Sequence, residues 1–438
     1  MLVNFAFSNF RSFKNTTILS MEAGRQSSLK ESLIKDKGLK LIPSSVIYGA
    51  NASGKSNIIM ALSVMKEIVL SGTLNADIPQ LKNLELYPFI HDCDEKPIHF
   101  EIDFIHKGYR ICYAFEVALS KIKSTSRKIV SEKLSLFEPG YQIDIFTRDA
   151  KGIHITKNKK TLKILEFKEK LLSEFEKKIN ENIDSAELFL TRAFKSTISN
   201  KLADIVLDFF SDALTVVSDF TLKKVNLLFS IKEESKKDFL LWNKILDGFV
   251  KNADFGPQDI AFIPERSENE DSSKMKLVSI YKFGDKNFAI PAEFMESRGT
   301  LKLIDFAIPF ENMFKSGGVF VLDEFDSAIH PELVKGILAI FNNPEINKSG
   351  AQLIFTTHNP IYLNNKIFRR DQIRFVEKDK DSYESILYSL ADFGSETVRN
   401  DHNYLINYFK GNYGALPFID FSNLLKDDKD TENENGNV

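Results

Sequence analysis

The sequence predicts an α/β fold in which a mixed sheet with an antiparallel lobe carries an inserted α-helical lobe. Three observations predict it. Apolar runs over 41–48 and 317–322 have the continuous hydrophobicity of buried parallel strands. Apolar and polar residues alternate over 98–117, as they do in half-buried antiparallel strands. Between 157 and 255, apolar residues recur three and four positions apart, which is typical of amphipathic helices.

The length and composition narrow the class of protein. With 438 residues and 43% hydrophobic content, the chain is long enough for one large or two ordinary domains. With a net charge of -3, the chain as a whole lacks the basic surface that nucleic-acid-binding proteins often carry, so nucleic acid could bind only at a local basic groove. Its two cysteines, Cys93 and Cys112, are too few for a disulfide framework or a metal site and fit a reducing compartment. Because no apolar run reaches roughly 18 residues, we expect a soluble, cytoplasmic chain that does not contact membranes.

Residues 49–56 match the phosphate-binding pattern Gly-x-x-x-x-Gly-Lys-Ser at every fixed position. An apolar run precedes this loop and a helical run from Ser56 to about Leu70 follows it. In such loops the backbone N–H groups surround the β-phosphate, the lysine neutralises the β- and γ-oxygens, and the serine hydroxyl binds Mg²⁺. The pattern therefore predicts a site for ATP and Mg²⁺ formed by Gly49, Asn51, Ser53, Gly54, Lys55, Ser56 and Asn57.

A second apolar run, over 317–322, ends in the adjacent carboxylates Asp323 and Glu324. In open α/β sheets, ligands bind at the carboxyl ends of the strands. We expect Asp323 to bind Mg²⁺ directly or through water, and Glu324 to polarise the attacking water. A simple turn after a core strand is the alternative interpretation.

The segment Asn9–Phe13, Asn-Phe-Arg-Ser-Phe, precedes the phosphate-binding loop by a few dozen residues. Together with the loop and the Asp-Glu pair, it resembles the opening of ABC-class ATPases of the SMC, RecF and OLD kind, and the resemblance extends over nearly the whole chain. It implies an ABC-type P-loop ATPase head, with Arg11 near the nucleotide phosphates. It also implies that His358, after the apolar run 351–356, is a catalytic residue that contacts the γ-phosphate and senses its loss. A surface arginine and a structural histidine are the alternatives.

Ser297 and Gly299 lie at the start of an apolar helical run and resemble the ABC signature motif in its Ser-x-Gly-Thr form, with Arg298 in place of the usual glycine. A helix N-terminus can present its N–H groups to an anion. The resemblance implies that Ser297 and Gly299 hold the γ-phosphate bound in a second subunit, and hence a homo-oligomer built from head-to-tail, nucleotide-bridged dimers. Asp326 and the two residues after it resemble the D-loop of this class.

The segment Asn403–Pro417 resembles the C-terminal stretch of single-chain ATPases from bacterial anti-phage defence operons, of the RloA, AbiLi and AriA type. This resemblance implies an ATP-hydrolysing sensor in abortive infection that controls a separately encoded effector, a Toprim- or RloB-type nuclease or toxin. It does not decide whether a phage protein is the trigger or whether the chain binds DNA. The alternative is a RecF-like DNA-repair ATPase. Too few residues follow His358 for a nuclease domain, so we do not expect the chain to cleave nucleic acid by itself.

The domain organisation predicted from these patterns has four parts: an N-terminal ATPase half over 1–156, a helical insertion over 157–255, a C-terminal ATPase half over 256–425 and a disordered tail over 426–438. Helical periodicity within the insertion predicts helices at 161–176, 186–194, 201–212 and 237–252. ABC-class enzymes also place a glutamine near Mg²⁺, for which Gln80 and Gln142 are candidates by residue type only.

Overall fold

The structure is a computed structural model that describes residues 1–75, 81, 84–89, 96–119, 127–167, 169–218, 257, 259–264, 275–394, 398–399 and 402–417. Gln80, the predicted helix 237–252 and the predicted tail 426–438 lie outside the described residues. Within the described segments, no helix is both long enough and apolar enough to cross a bilayer.

The strands of the N-terminal half begin with a hairpin and a small two-stranded sheet, followed by the strand that leads into the phosphate-binding loop. They are β1 Leu2–Ser8, β2 Thr17–Ser20, β3 Ile34–Asp36, β4 Leu39–Leu41 and β5 Ser44–Gly49. Five further strands then form the antiparallel lobe: β6 Ile98–His106, β7 Tyr109–Leu119, β8 Arg127–Glu138, β9 Tyr141–Asp149 and β10 Gly152–Ile155. The antiparallel sheet has the order β10-β9-β8-β7-β6-β1-β2.

The remaining described strands are β11 Leu214–Val217, β12 Asp259–Pro264, β13 Met275–Phe283, β14 Lys286–Pro291, β15 Gly318–Leu322, β16 Ala351–Thr356, β17 Ile373–Lys378 and β18 Ser385–Ser389. A six-stranded sheet has the order β11-β15-β16-β5-β17-β18. Its first five strands run parallel, and β18 is antiparallel to β17. A separate three-stranded sheet consists of β12, β13 and β14.

The described α-helices are α1 Lys55–Ser71, α2 Lys159–Leu165, α3 Glu169–Asn182, α4 Lys195–Thr197, α5 Asn200–Asp208, α6 Ala292–Met295, α7 Arg298–Ser316, α8 Pro331–Asn342 and α9 Tyr404–Phe409. Single π-helical turns over Leu190–Phe194 and Phe209–Ala213 adjoin α4 and α5. Short 3-10 turns occupy Lys30–Ser32, Pro360–Tyr362, Arg370–Gln372 and Leu390–Phe393.

The six-stranded sheet separates two hydrophobic cores, because alternate residues of its central strands point to opposite faces. Val319 and Val321 of β15 belong to a core shared with α1 and the antiparallel lobe. Phe320 and Leu322 belong to a second core with α7 and α8. A strand buried on both faces must be apolar throughout, which is why β15, β16 and β5 are recognisable in the sequence as continuous hydrophobic runs.

The predicted α/β class, with a mixed sheet and an antiparallel lobe, is confirmed. The helix predicted over 161–176 is instead two helices, α2 and α3. Glu166 ends α2 in a left-handed conformation with φ 55°. The apolar periodicity continues across this break because Leu165 and Leu172, on either side of it, pack in the same core. The sequence patterns do not predict β3, β4, β10, β11, β14 or β18.

The C-terminal segment packs beneath the strand that carries the phosphate-binding loop. Tyr408 and Tyr413 are buried, and the ring of Tyr408 lies 6.3 Å from that of Tyr48 and 5.8 Å from that of Phe375. The Tyr408 hydroxyl donates a hydrogen bond of 3.2 Å to the carbonyl of Ala415. The tyrosines of this segment therefore complete the second core next to β5.

Candidate nucleotide site

Three adjacent parallel strands bring the predicted site residues to one edge of the six-stranded sheet. Strand β16 lies between β15 and β5, with Leu322 opposite Phe355 and Thr356 opposite Ile47. The carboxyl ends of parallel strands meet at the same edge, so the loop after β5, the Asp-Glu pair after β15 and the histidine after β16 are neighbours. This adjacency cannot be read from the order of the motifs along the chain.

The phosphate-binding loop has a conformation that its glycines permit. Gly54, which caps α1, has φ 112°, in the left-handed region that favours glycine. A Cβ atom on Gly49 would lie 2.5 Å from the carbonyl oxygen of Val376 and 2.6 Å from Ser53 Oγ, so the loop can approach β17 this closely only with glycine at 49. The Ser53 hydroxyl is buried and has no hydrogen-bond partner within the described part of the chain. An unpartnered buried hydroxyl in this loop fits a phosphate oxygen.

Lys55 is the first residue of α1 and is buried. Its ammonium group donates to the carbonyls of Gly49, at 3.0 Å, and Ala50, at 2.9 Å. Burial lowers the pKa of Lys55, while Asp323 and Glu324 oppose that shift. Asn51 and Ser56 are exposed at the mouth of the loop, where a ligand could reach them.

A network of polar side chains fixes the back of the loop. Ser385 Oγ donates to the carbonyl of Ser53 at 2.6 Å and lies 2.8 Å from Ser12 Oγ. Asn57 Nδ2 donates to Ser12 Oγ at 2.8 Å. Ser12 and Ser385 are not among the predicted site residues. Ser12 lies beside Arg11 in the segment already singled out, whereas nothing around Ser385 in the sequence indicates its position.

Arg11 lies against the N-terminal turn of α1. Its guanidinium group donates to Asn57 Oδ1 at 3.3 Å and forms an ion pair with Glu85, and its Nε is buried without a partner among the described residues. The backbone of Arg11 is left-handed, with φ 52°, and its N–H donates to the carbonyl of Tyr87 at 2.9 Å. The structure thus places Arg11 against Asn57 at the start of α1 and pairs it with Glu85, an acidic residue that the sequence does not indicate. Its contact with the nucleotide phosphates stays a prediction.

Asp323 and Glu324 share Thr356, the last residue of β16. The Thr356 hydroxyl donates to Asp323 Oδ1 at 2.5 Å and accepts from the Glu324 N–H at 2.8 Å. Glu324 has φ 44°, and its side chain is 58% exposed. The two carboxylates therefore have different surroundings. Asp323 is hydrogen-bonded to the end of β16, whereas Glu324 is directed outward. The sequence does not predict Thr356, because a threonine in an apolar run carries no motif.

His358 lies beside Glu324, with Nε2 3.8 Å from Glu324 Oε1. Burial and then the Lys55 charge lower the pKa of His358 below its usual value of 6.5, against the opposing influence of Glu324, Asp326 and Asp323. The imidazole is therefore neutral at pH 7 and has one N–H to donate. A cleft of about 340 Å³ opens here, lined by Glu324, Asp326, Ser327, His358 and Asn359.

The predicted Mg²⁺ ligands are oxygen donors, the type that Mg²⁺ prefers. Among the described residues, no group of three or more His, Cys, Asp or Glu could hold a metal ion. A site of one hydroxyl, Ser56, and one carboxylate, Asp323, fits the usual protein share for Mg²⁺ held against phosphates, in which substrate and water supply the other ligands.

Ser297 and Gly299 begin the long helix α7. Ser297 is its N-cap, with Oγ accepting from the Thr300 N–H at 3.1 Å. Gly299 is buried against the turn after β15, where a Cβ atom would lie 2.1 Å from the carbonyl oxygen of Ala328. The structure therefore joins the signature-like residues to the D-loop-like segment of the same chain. Their contact with a neighbour's nucleotide stays a prediction.

A second cleft, of about 400 Å³, lies beside the N-terminus of α1. It is lined by Arg11, Ser12, Asn57, Tyr87, Pro88, Phe89, Lys378 and Tyr383. Because it adjoins the phosphate-binding loop and combines aromatic with polar side chains, it is suited to a nucleoside. Gln142 lies instead in β9, in the outer part of the antiparallel sheet, and is exposed.

Residues 44–364 match the protein family described as "AAA domain, putative AbiEii toxin, Type IV TA system". The chain belongs to this family. The match spans both the phosphate-binding loop and the Asp-Glu pair, and it identifies the chain as a P-loop protein of the ATPase type. Comparison with curated proteins finds no match.

The chain is also similar to a solved structure described as "Crystal structure of the SmcHead bound to the C-winged helix domain of ScpA". The identity is 16% and the TM-score 0.37, over 89% of this chain and 97% of that one.

Proposed function

We propose that this chain binds ATP with Mg²⁺ at the shared edge of β5, β16 and β15 and hydrolyses it. The observation that carries the proposal is the parallel pairing that brings Lys55, Glu324 and His358 together. Lys55 neutralises the β- and γ-phosphate oxygens, and the loop N–H groups bind the same oxygens. Magnesium, held by Ser56 and Asp323, supplies charge neutralisation to the phosphates when bound.

Glu324 is positioned to orient the attacking water and accept its proton. Its carboxylate is outward-facing and exposed, so water can reach it. Neutral His358, beside it, can donate its N–H to the γ-phosphate and lose that contact when the phosphate leaves. Hydrolysis would then remove a hydrogen bond at the end of β16. A slow ATPase can use such a difference between its ATP-bound and product-bound states as a switch.

The site is completed by a second copy of the chain in this proposal. Ser297 caps α7 with its side chain, and the first N–H groups of that helix can bind the γ-phosphate held by a neighbour. The result is a head-to-tail dimer bridged by two nucleotides. The prediction concerns the ATP-bound state, since the nucleotide itself forms part of the interface.

We infer that the switch acts in the cytoplasm as a sensor in anti-phage defence and controls a separately encoded effector, a nuclease or toxin of Toprim or RloB type. The family description names a putative toxin of a toxin–antitoxin system, which supports a role in a system of that kind. The resemblance of Asn403–Pro417 to defence-operon ATPases supports it further. A phage protein would be the trigger.

The substitution Lys55→Ala tests the function. Loss of the ammonium group should abolish measurable ATP binding, and cells carrying the operon should lose phage protection together with it. The matched control is Lys335→Ala, which removes a surface lysine paired with Glu332 on α8 and should leave both unchanged. Unchanged hydrolysis in Lys55→Ala would disprove the site.

A RecF-like role in DNA repair predicts a different result. The wild-type chain would then bind duplex DNA in an ATP-dependent manner, with affinity falling steeply as salt rises. Tight DNA binding by the purified chain, combined with unchanged phage sensitivity in Glu324→Gln cells, would replace the defence proposal and leave the ATP site standing.

A further inference from the structure

A buried lysine connects the signature-like helix to the turn that carries the predicted catalytic carboxylate. Lys302 lies one turn into α7 and is 5% exposed. Its ammonium group donates to the main-chain carbonyls of Glu324, at 2.9 Å, and Ser327, at 3.2 Å. Neither the sequence motifs nor the proposed function assigns this residue a role.

The main chain that Lys302 holds is strained. Glu324 has φ 44° and Ala328 has φ 66°, left-handed conformations that are unfavourable for residues other than glycine. Such conformations persist only when neighbouring groups fix them. The Glu324 N–H donates to Thr356 Oγ1, and the Glu324 carbonyl accepts from Lys302 Nζ at 2.9 Å and from the Ser327 N–H at 3.0 Å. Without Lys302, this carbonyl would keep only the hydrogen bond within its own turn and would lose its contact with α7.

Two further features show that this contact is specific. Burial lowers the pKa of Lys302 to about 8, although Asp326, Glu324 and Asp323 oppose the shift. A buried ammonium group is costly, so its retention against two carbonyls indicates a positional requirement at this turn. Gly299, one turn earlier in α7, adds a second contact through its close approach to the Ala328 carbonyl.

We propose that Lys302 is a positioning residue for ATP hydrolysis. It fixes the main chain of the turn from Glu324 to Ser327 and thereby sets the orientation of the Glu324 carboxylate. Because Lys302 belongs to α7, this orientation depends on the position of the first turn of that helix. The inference rests on the proposed function. It means that any ligand contact at Ser297 or Gly299 acts on Glu324 of the same chain through a rigid connection about one helical turn long.

The test compares Lys302→Met in two backgrounds, wild type and Glu324→Gln. Methionine keeps the length and bulk of the side chain but cannot donate. In the wild-type background we expect kcat to fall about tenfold or more, with KM for ATP within about threefold, because the nucleotide contacts are untouched. In the Glu324→Gln background the same substitution should change the residual single-turnover rate by less than about twofold, since groups that act as a unit are not additive.

Lys315→Met is the matched control, because Lys315 lies on the same helix, is exposed and is paired with Glu311; it should leave kcat and KM unchanged. If Lys302→Met does not fold, Lys302→Gln, which keeps a shorter donor, is compared in the same two backgrounds. An equal loss of rate in both backgrounds would indicate a general structural effect and overturn the proposal, as would an unchanged kcat. Failure of the proposed function is seen separately, as hydrolysis that persists in Lys55→Ala.

Discussion

At the scale of single residues, the site depends on adjacent side chains that are held in different ways. Asp323 accepts a hydrogen bond from Thr356, whereas Glu324 faces the cleft because its backbone is left-handed. Two carboxylates next to each other in sequence can thus serve as metal ligand and water-activating group.

Asp305 gives a residue-scale prediction with a defined pH dependence. Burial raises its pKa from 3.8 to about 6, so the folded chain keeps this proton to a higher pH than the unfolded chain does. The unfavourable ionisation costs stability as pH rises from about 4 through 6. Asp305→Asn should therefore raise the free energy of unfolding at about pH 8, by about 1–2 kcal/mol after allowance for partial exposure, and have little effect near pH 4.

Urea unfolding at the two pH values measures this effect. Glu311→Gln, on the same helix, keeps the size of the side chain and loses the ion pair with the exposed Lys315, so it should change stability by less than about 1 kcal/mol at both pH values. An equal gain for Asp305→Asn at both pH values would mean that the gain does not come from relief of ionisation.

The residues that sequence reasoning can identify are those inside motifs with fixed spacing. Lys55, Asp323 and Glu324 belong to such patterns, and the structure brings them within electrostatic reach of one another. Thr356, Ser385 and Lys302 are single residues of common types whose importance comes from contacts with distant segments. No local pattern encodes those contacts, so only the folded chain reveals them.

At the scale of elements, the close approach between α7 and the turn after β15 is the feature most sensitive to substitution. Gly299→Ala would place a methyl group 2.1 Å from the Ala328 carbonyl. Backbone would have to shift, so we expect a loss of about 1–3 kcal/mol in stability. At Gly336, within α8, a Cβ atom would meet no heavy atom within 4 Å beyond the helix backbone in the described part of the chain. Gly336→Ala should therefore stabilise by roughly 0.5–1 kcal/mol.

Thermal unfolding of the two alanine variants distinguishes these effects. Because both substitutions add one methyl group to a helix, the opposite signs isolate the packing of α7 against the turn. A stabilised Gly299→Ala variant would show that the contact is not tight and would weaken the link proposed for Lys302.

The boundaries of a helix or strand can be predicted where the hydrophobic pattern of the sequence changes at the same residue as the secondary structure. Strands β15 and β16 are recognisable because both faces are buried. The break between α2 and α3 escapes prediction because Glu166, which ends α2 with a positive φ, is neither glycine nor proline. Strand β14, most of whose residues are exposed, lacks the alternation that identifies a half-buried strand.

At the scale of the whole molecule, the six-stranded sheet organises both cores and the site. Helix α1 packs on one face and α7 and α8 on the other, so the phosphate-binding loop and the signature-like helix start from opposite sides of one sheet. The phosphate-binding loop and the signature-like helix are connected through β5, β16 and β15.

The central claim is that this edge binds MgATP and that Glu324 activates the attacking water. Single-turnover hydrolysis and nucleotide binding by Glu324→Gln test it most directly. We predict affinity for ATP within about threefold of wild type and hydrolysis slower by about 100-fold or more, since the amide cannot accept the proton. Hydrolysis at the wild-type rate, or loss of ATP binding in this variant, would contradict the claim.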